Sequence, residues 1–211
     1  MSEQCRVRIR FGKESDLRFI SHRDLVRAME RMFRRAGWDL AMSQGFHPRP
    51  MMTFPAALAL GLEARHEVAE LVLDRTGNAA ELLEQLRQVA PPGLVNHSVE
   101  VRSMQEPKVR VAAAVYEMVI PPPRLPAVTQ ALADFLGRDS WLVEREAKGT
   151  TQDFRPAVLQ AELREGTLRL TLDATQQEAT PRPHELLAEL GLGDWQNAGL
   201  ELVRADVELA R

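Results

Sequence analysis

The sequence predicts an α+β protein made of two tandem ferredoxin-like halves, each running β-α-β-β-α-β with an antiparallel sheet. Three observations lead there. Short alternating apolar runs are interleaved with amphipathic helical runs instead of being grouped by type. The same order of elements recurs after a polar connector, QEPKVR at 105–110. The length, 211 residues, suits one large domain or two small ones. The halves are expected at 1–104, basic, and 110–211, acidic; the repeat is one of pattern, with no visible identity between them.

In the first half, RVRIRF (6–11) alternates basic and apolar residues, as a half-buried strand does. GKESD turns, and LRFI (17–20) is read as extended. SHRDLVRAMERMFRRAG (21–37) is the clearest helix. Ser21 is its N-cap, Asp24 follows three residues on, Gly37 is its stop, and Leu25, Met29, Met32 and Ala36 form the buried stripe. A strand or hairpin is expected within 40–61, a strand at 66–74, a helix at 79–91 ended by Pro91–Pro92, and a strand at 94–103.

In the second half, VAAAVYEMVI (111–120) is a strand and RLPAVTQALADFLG (124–137) a helix ending at Gly137. WLVERE (141–146) is a strand. AVLQAELREGTLRLTLD (157–173) is a hairpin about Glu165-Gly166, with Leu159, Ala161 and Leu163 alternating before the turn and Leu168, Leu170 and Leu172 after it. A helix at 182–191 and a strand at 200–209 close the chain.

Composition narrows the function. Apolar residues are 45% and charged residues 27%, enough to bury a sizeable core. No apolar run approaches the roughly 18 residues of a membrane span, and MSEQCRVRIRFGKES lacks the apolar centre of a signal peptide. The lone cysteine, Cys5, excludes an internal disulfide framework and points to the cytoplasm. It also excludes Cys-ligated zinc, CxxC redox chemistry and an iron–sulfur cluster held by this chain. GxGxxG, GxxxxGK[ST], HExxH and GxSxG are absent.

Charge is uneven. Residues 1–55 hold 11 Lys/Arg against 6 Asp/Glu, and the remainder 16 against 24. A GC-rich genome accounts for arginine over lysine but not for this asymmetry, which suggests a localised anion-binding face. On the first helix, Arg23, Arg27, Arg31 and Arg34 fall within about an 80° arc, with Arg35 beside them. Asp24 and Glu30 cannot neutralise five arginines, and the guanidinium fork suits phosphate. The plain alternative is a solvated face paired with acids elsewhere.

After that helix comes SQGFHPRPMMTF (43–54). His47 and Arg49 each precede a proline, which favours extended backbone, and Pro48 and Pro50 rule out a central strand. In an extended segment His47 and Arg49 point roughly the same way. Gly45 permits an unusual backbone angle or a close ligand approach. Phe46 and Phe54 supply apolar or stacking surface. The stretch reads as a stiffened loop holding polar side chains outward, or as a rigid turn with both phenylalanines buried.

LRFISHRDLVRAMERMFRRAG, SQGFHPRPMMTF and LGLEARHEVAEL together resemble the radical-SAM-linked family. This is a bacterial domain of unknown function, found as a C-terminal extension of radical S-adenosylmethionine (SAM) proteins or encoded beside them. The family pattern runs close to F-S-H-x-D-L-x-R, E-R-A-x-R-R-A and S-Q-G-F-N-P-H-P. Ser21, His22, Asp24, Arg27, Glu30, Arg34, Arg35, Ser43, Gln44, Gly45, Phe46, Pro48, Pro50 and Gly61 match it. His47 stands where the family usually has Asn, and Arg49 where it usually has His. KGTTQDFRP (148–156) resembles the family's Lys…Asp-x-Arg-Pro segment and adds Lys148, Asp153 and Arg155. The resemblance implies a radical-SAM partner that uses S-adenosylmethionine and an iron–sulfur cluster, with no cofactor bound by this chain.

The expected function is an RNA- or phosphate-binding accessory to that enzyme, with structured RNA as a second partner. Its ligand contacts are expected from Ser21, His22, Asp24, Arg27, Arg31, Arg34, Arg35, Ser43, Gln44, Gly45, Phe46, His47, Arg49, Lys148, Asp153 and Arg155. Ser21, His22, Arg27, Gly45, His47 and Arg49 are expected to share a pocket. One alternative is a metal-independent RNA-processing enzyme with His22 and His47 as acid and base and Arg27 or Arg31 on the scissile phosphate. The other is a protein–protein adaptor docking through its acidic half.

Overall fold

The computed structural model describes residues 4–145, 150–175 and 180–210. It is mixed α+β, with four α-helices and ten strands among those residues. The chain divides into two compact units, Met1–Arg110 and Val111–Arg211.

The first unit contains strands β1 (Cys5–Lys13), β2 (Met52–Thr53), β3 (Glu63–Leu73) and β4 (Leu94–Ser103), with helices α1 (His22–Arg35) and α2 (Ala79–Val89). Its strand order is β4-β1-β3-β2, and the neighbours are antiparallel. Alternation along β1 sends Val7, Ile9 and Phe11 to one face, into a core with Leu25, Met29, Met32 and Phe33 of α1 and Leu82 and Leu86 of α2. The buried stripe of α1 thus includes Phe33, which stacks on Trp38 at 5.2 Å, whereas Ala36 is only half-buried.

Two segments differ from the sequence reading. Of LRFI only Ile20 is extended: Ser15–Phe19 forms a 3-10 turn. The ammonium of Lys13, fully buried, donates to Arg18 O at 3.1 Å and Ile20 O at 3.0 Å and draws the segment into a bend. Within 40–61, the strand shrinks to the two residues of β2 plus isolated bridges Leu40–Leu73 and Met42–Pro50. Pro48, Pro50 and Pro55 withhold the N–H groups a longer ladder needs.

The second unit contains β5 (Val111–Val119), α3 (Leu125–Leu136), β6 (Leu142–Arg145), β7 (Thr150–Asp153), β8 (Val158–Arg164), β9 (Thr167–Asp173), α4 (Pro183–Glu189) and β10 (Leu202–Leu209). Its main order is β10-β5-β9-β8, antiparallel throughout, and β6 pairs with β7 in a separate two-stranded sheet. Val128, Leu132 and Phe135 of α3, Leu168, Leu170 and Leu172 of β9, and Leu186 and Leu187 of α4 are buried. The β8–β9 hairpin turns at Glu165 and Gly166, with φ of 48° and 78°, as a primed two-residue turn requires. A register shift between Val158 and Gln160 breaks the expected alternation at its first position: Val158 is buried and Leu159 is 56% exposed, while Ala161 stays buried as expected. No helix among the described residues is long and apolar enough to cross a membrane.

Candidate nucleic-acid interface

α1 begins where its cap says it should. Ser21 Oγ accepts from Asp24 N at 3.1 Å and donates to Asp24 Oδ2 at 2.7 Å. The carboxylate is thereby held over the first turn, where the helix dipole favours it. Asp24 also reaches Arg27 at 3.7 Å, and Glu30 takes Arg34 at 2.9 Å. Both acids of the helix are then occupied. Arg23, Arg31 and Arg35 are exposed and make no ion pair or hydrogen bond among the described residues. Arg31 and Arg35 are one turn apart, so their charges oppose each other.

His22 is half-buried. Its ring lies edge-on to Phe54 at 5.5 Å, and Phe54 lies edge-on to the core residue Phe11 at 6.4 Å. This contact joins the start of the helix to the last residue of SQGFHPRPMMTF.

The rest of that stretch is a stapled loop. Its stem is fastened to β3 by Ala41 N donating to Val72 O at 2.9 Å and Val72 N donating to Met51 O at 3.0 Å. Met51 N donates to Ala41 O at 2.8 Å and Ser43 N to Arg49 O at 2.8 Å, while Arg49 N donates to Ser43 Oγ at 3.0 Å. From there Gln44–His47 bend through the solvent. Gly45 has φ +132°, a backbone conformation that favours glycine, with no protein atom near where a Cβ would be. Phe54 is the packed phenylalanine, and Phe46 is fully exposed. His47 and Arg49 are exposed too, on a segment that bends between Gln44 and His47 instead of running straight.

A cavity of about 540 Å³ lies at the other end of α1, lined by Arg34, Trp38, Asp39, Leu40, Met42, Asp74 and Arg75. It brings Arg34 to the loop stem. Ser21, His22, Arg27, Gly45, His47 and Arg49, expected to share a pocket, do not line it. Asp39, Asp74 and Arg75 carried no motif, since they meet only in the fold: Leu40 bridges Leu73, Asp74 N donates to Asp39 O at 2.9 Å, and Arg75 pairs with Asp39 at 3.1 Å. No cluster of three or more metal-ligating side chains occurs among the described residues.

Asp153 and Arg155 are engaged within the second unit. Asp153 Oδ1 accepts Trp141 N at 2.7 Å and Arg155 N at 3.0 Å, and these two N–H groups hold its carboxyl below the ordinary aspartate range. The Arg155 guanidinium donates to Arg138 O at 3.1 Å and Leu136 O at 3.4 Å and lies over the Phe135 ring, closing the C-terminal end of α3. Their role here is to cap a helix and hold a loop. Lys148 lies outside the described residues.

A family profile described as "Uncharacterized protein conserved in bacteria (DUF2344)" matches residues 6–183. The chain belongs to this family. The DUF2344 match runs from β1 to the first residue of α4 and so takes in α1, the stapled loop and the Asp153–Arg155 clip. No curated protein matches the DUF2344 chain. Among solved structures it is similar to an unknown protein from Galdieria sulphuraria, at 13% identity and a TM-score of 0.29, over 99% of this chain and 100% of that one.

Proposed function

We propose that the protein is an RNA- or phosphate-binding accessory to a radical-SAM enzyme, built from two ferredoxin-like units. The strand orders β4-β1-β3-β2 and β10-β5-β9-β8 support the fold reading, since each places the first and third of its four strands side by side at the centre. The partner rests on the resemblance of the α1 and loop motifs. The radical chemistry is assigned to the partner because this chain's one cysteine, Cys5, cannot ligate a cluster and is buried.

The binding reading is carried by Arg23, Arg31 and Arg35, three exposed guanidiniums without an acid among the described residues. Leaving them unpaired on one helix is unfavourable for the free protein, and phosphates spaced along a nucleic-acid backbone relieve it. The test is fluorescence anisotropy with labelled RNAs of unrelated sequence. Arg31→Ala with Arg35→Ala is expected to weaken binding to all of them and to flatten the salt dependence by about one unit of slope for each phosphate no longer held. Binding that is absent, or indifferent to the double substitution, overturns the reading. The protein alone is expected to leave the RNA intact; metal-free cleavage abolished by His22→Ala would install the ribonuclease alternative in its place.

A further inference from the structure

Phe46 is the most exposed large apolar side chain described, at 102%, against 71% for Val119. A ring so placed contributes nothing to the core, and its position is held by the backbone of the loop, not by packing. The Ser43–Arg49 and Ala41–Met51 bonds fix the stem, Pro48 and Pro50 stiffen one arm, and Gly45 at φ +132° sets the bend. A presented, pre-organised aromatic loses little freedom on binding.

The surroundings decide what it binds. No Asp or Glu occurs between Asp39 and Glu63. The loop instead offers Gln44 and His47 at its tip and Arg49 at its stem, all exposed. A protein anchor sits inside an apolar patch ringed by neutral contacts. Phe46 is flanked in the chain by the polar Gln44 and His47 and by the cation Arg49, with the partly exposed Met42 and Met51 back at the stem. An aromatic face beside a hydrogen-bonding imidazole and a guanidinium is complementary to a nucleobase flanked by phosphates. In a duplex the base faces are covered by stacking, so the base must come from a loop, a bulge, an end or a single strand.

We infer that Phe46 stacks on an unpaired nucleobase while His47 and Arg49 hold the adjoining phosphates. The ligand class is therefore a single-stranded or unstacked nucleic-acid segment. The inference rests on the RNA-binding reading above and sharpens it.

The experiment compares a short fluorescein-labelled single-stranded RNA, the DNA of the same sequence and the fully paired RNA duplex, by anisotropy with the full chain. The single strands should bind more tightly than the duplex. Phe46→Ala should weaken single-strand binding about 5- to 150-fold, with little effect on the duplex and no change in salt slope. Phe46→Leu, which keeps bulk but not the π face, should lose nearly as much, and Phe46→Trp should retain binding and show added fluorescence quenching on RNA over the wild-type protein. RNA against DNA separates recognition of the 2′-hydroxyl from stacking alone. Thermal melting should be unchanged in all three variants, because the ring touches no core residue.

Two outcomes overturn the stacking role. One is wild-type binding by Phe46→Ala or Phe46→Leu. The other is loss of a co-purifying protein from Phe46→Ala while its RNA binding stays intact. If Arg31→Ala with Arg35→Ala weakens binding and Phe46→Ala does not, this inference fails and the parent reading stands. If the wild-type protein binds none of the three nucleic acids, both fail.

Discussion

Glu70 shows how much a single buried charge organises. Its side chain is 3% exposed on β3, with Oε1 3.2 Å from Arg6 Nε and Oε2 3.2 Å from Arg8 Nη2. Oε1 also accepts Val109 N at 3.3 Å, while Arg6 donates to Glu106 O at 2.5 Å and Met104 O at 3.4 Å. The pair therefore ties the polar 104–109 connector to the face of the sheet opposite the core. Removing one partner of a buried pair leaves the other charge uncompensated, which typically costs about 3–5 kcal/mol. Glu70→Ala is expected to lose that much in urea denaturation, and Glu70→Gln less, because the amide still accepts. A loss below about 1 kcal/mol for the alanine variant would show that water replaces the carboxylate and that the network is a surface one.

Among elements, α1 is the one most legible in the sequence, because its signals are local: Ser21 and Asp24 at the start, Gly37 at the stop, apolar residues at helical spacing. The 3-10 turn at Ser15–Phe19 was not legible, because the burial of Lys13 that bends it is set by the tertiary fold and its other anchor is remote. Glu14 N donates to Gly93 O at 2.8 Å, and Gly93, at φ +81°, leaves only 2.6 Å between a would-be Cβ and Glu14 O. Gly93→Ala should therefore destabilise the first unit by more than about 1 kcal/mol, read as a lowered urea midpoint with unchanged slope. Wild-type stability in that variant would mean that the turn is free to move aside. The loop at 43–54 was legible as stiff, from its prolines. Its outward aromatic was not, since the exposure of Phe46 follows from hydrogen bonds of the stem to Val72, some twenty residues on. The same holds in the second unit. The Asp153–Arg155 motif was visible, but the carbonyls that Arg155 serves, at the end of α3 and just beyond it, lie 19 and 17 residues away. Leu159 kept its expected strand and lost its expected face to one bulge.

Over the whole molecule, the net charge of −3 gives no general attraction to nucleic acid, so the binding proposed above would have to draw on the basic stretch 1–55. The acidic groups have a different task. Glu106 is held below the ordinary glutamate range first by Ser103 N and then by Arg102; Asp153 by Trp141 N and Arg155 N; Asp194 by the Arg124 guanidinium. Each is lowered in the folded state, so each binds protons more weakly there than in the unfolded chain. The stability they contribute is fully present above their ordinary values near 4 and is lost as pH falls through the lower folded values. A thermal-melting series should thus be nearly flat from about pH 7 to about pH 5 and fall steadily below about pH 4. Asp153→Asn with Asp194→Asn should be less stable than the wild-type protein at neutral pH, yet lose less on acidification, because an amide has no proton to take up there. A double variant that parallels the wild-type curve through the acid range would place the acid sensitivity elsewhere among the carboxylates and remove these two from it.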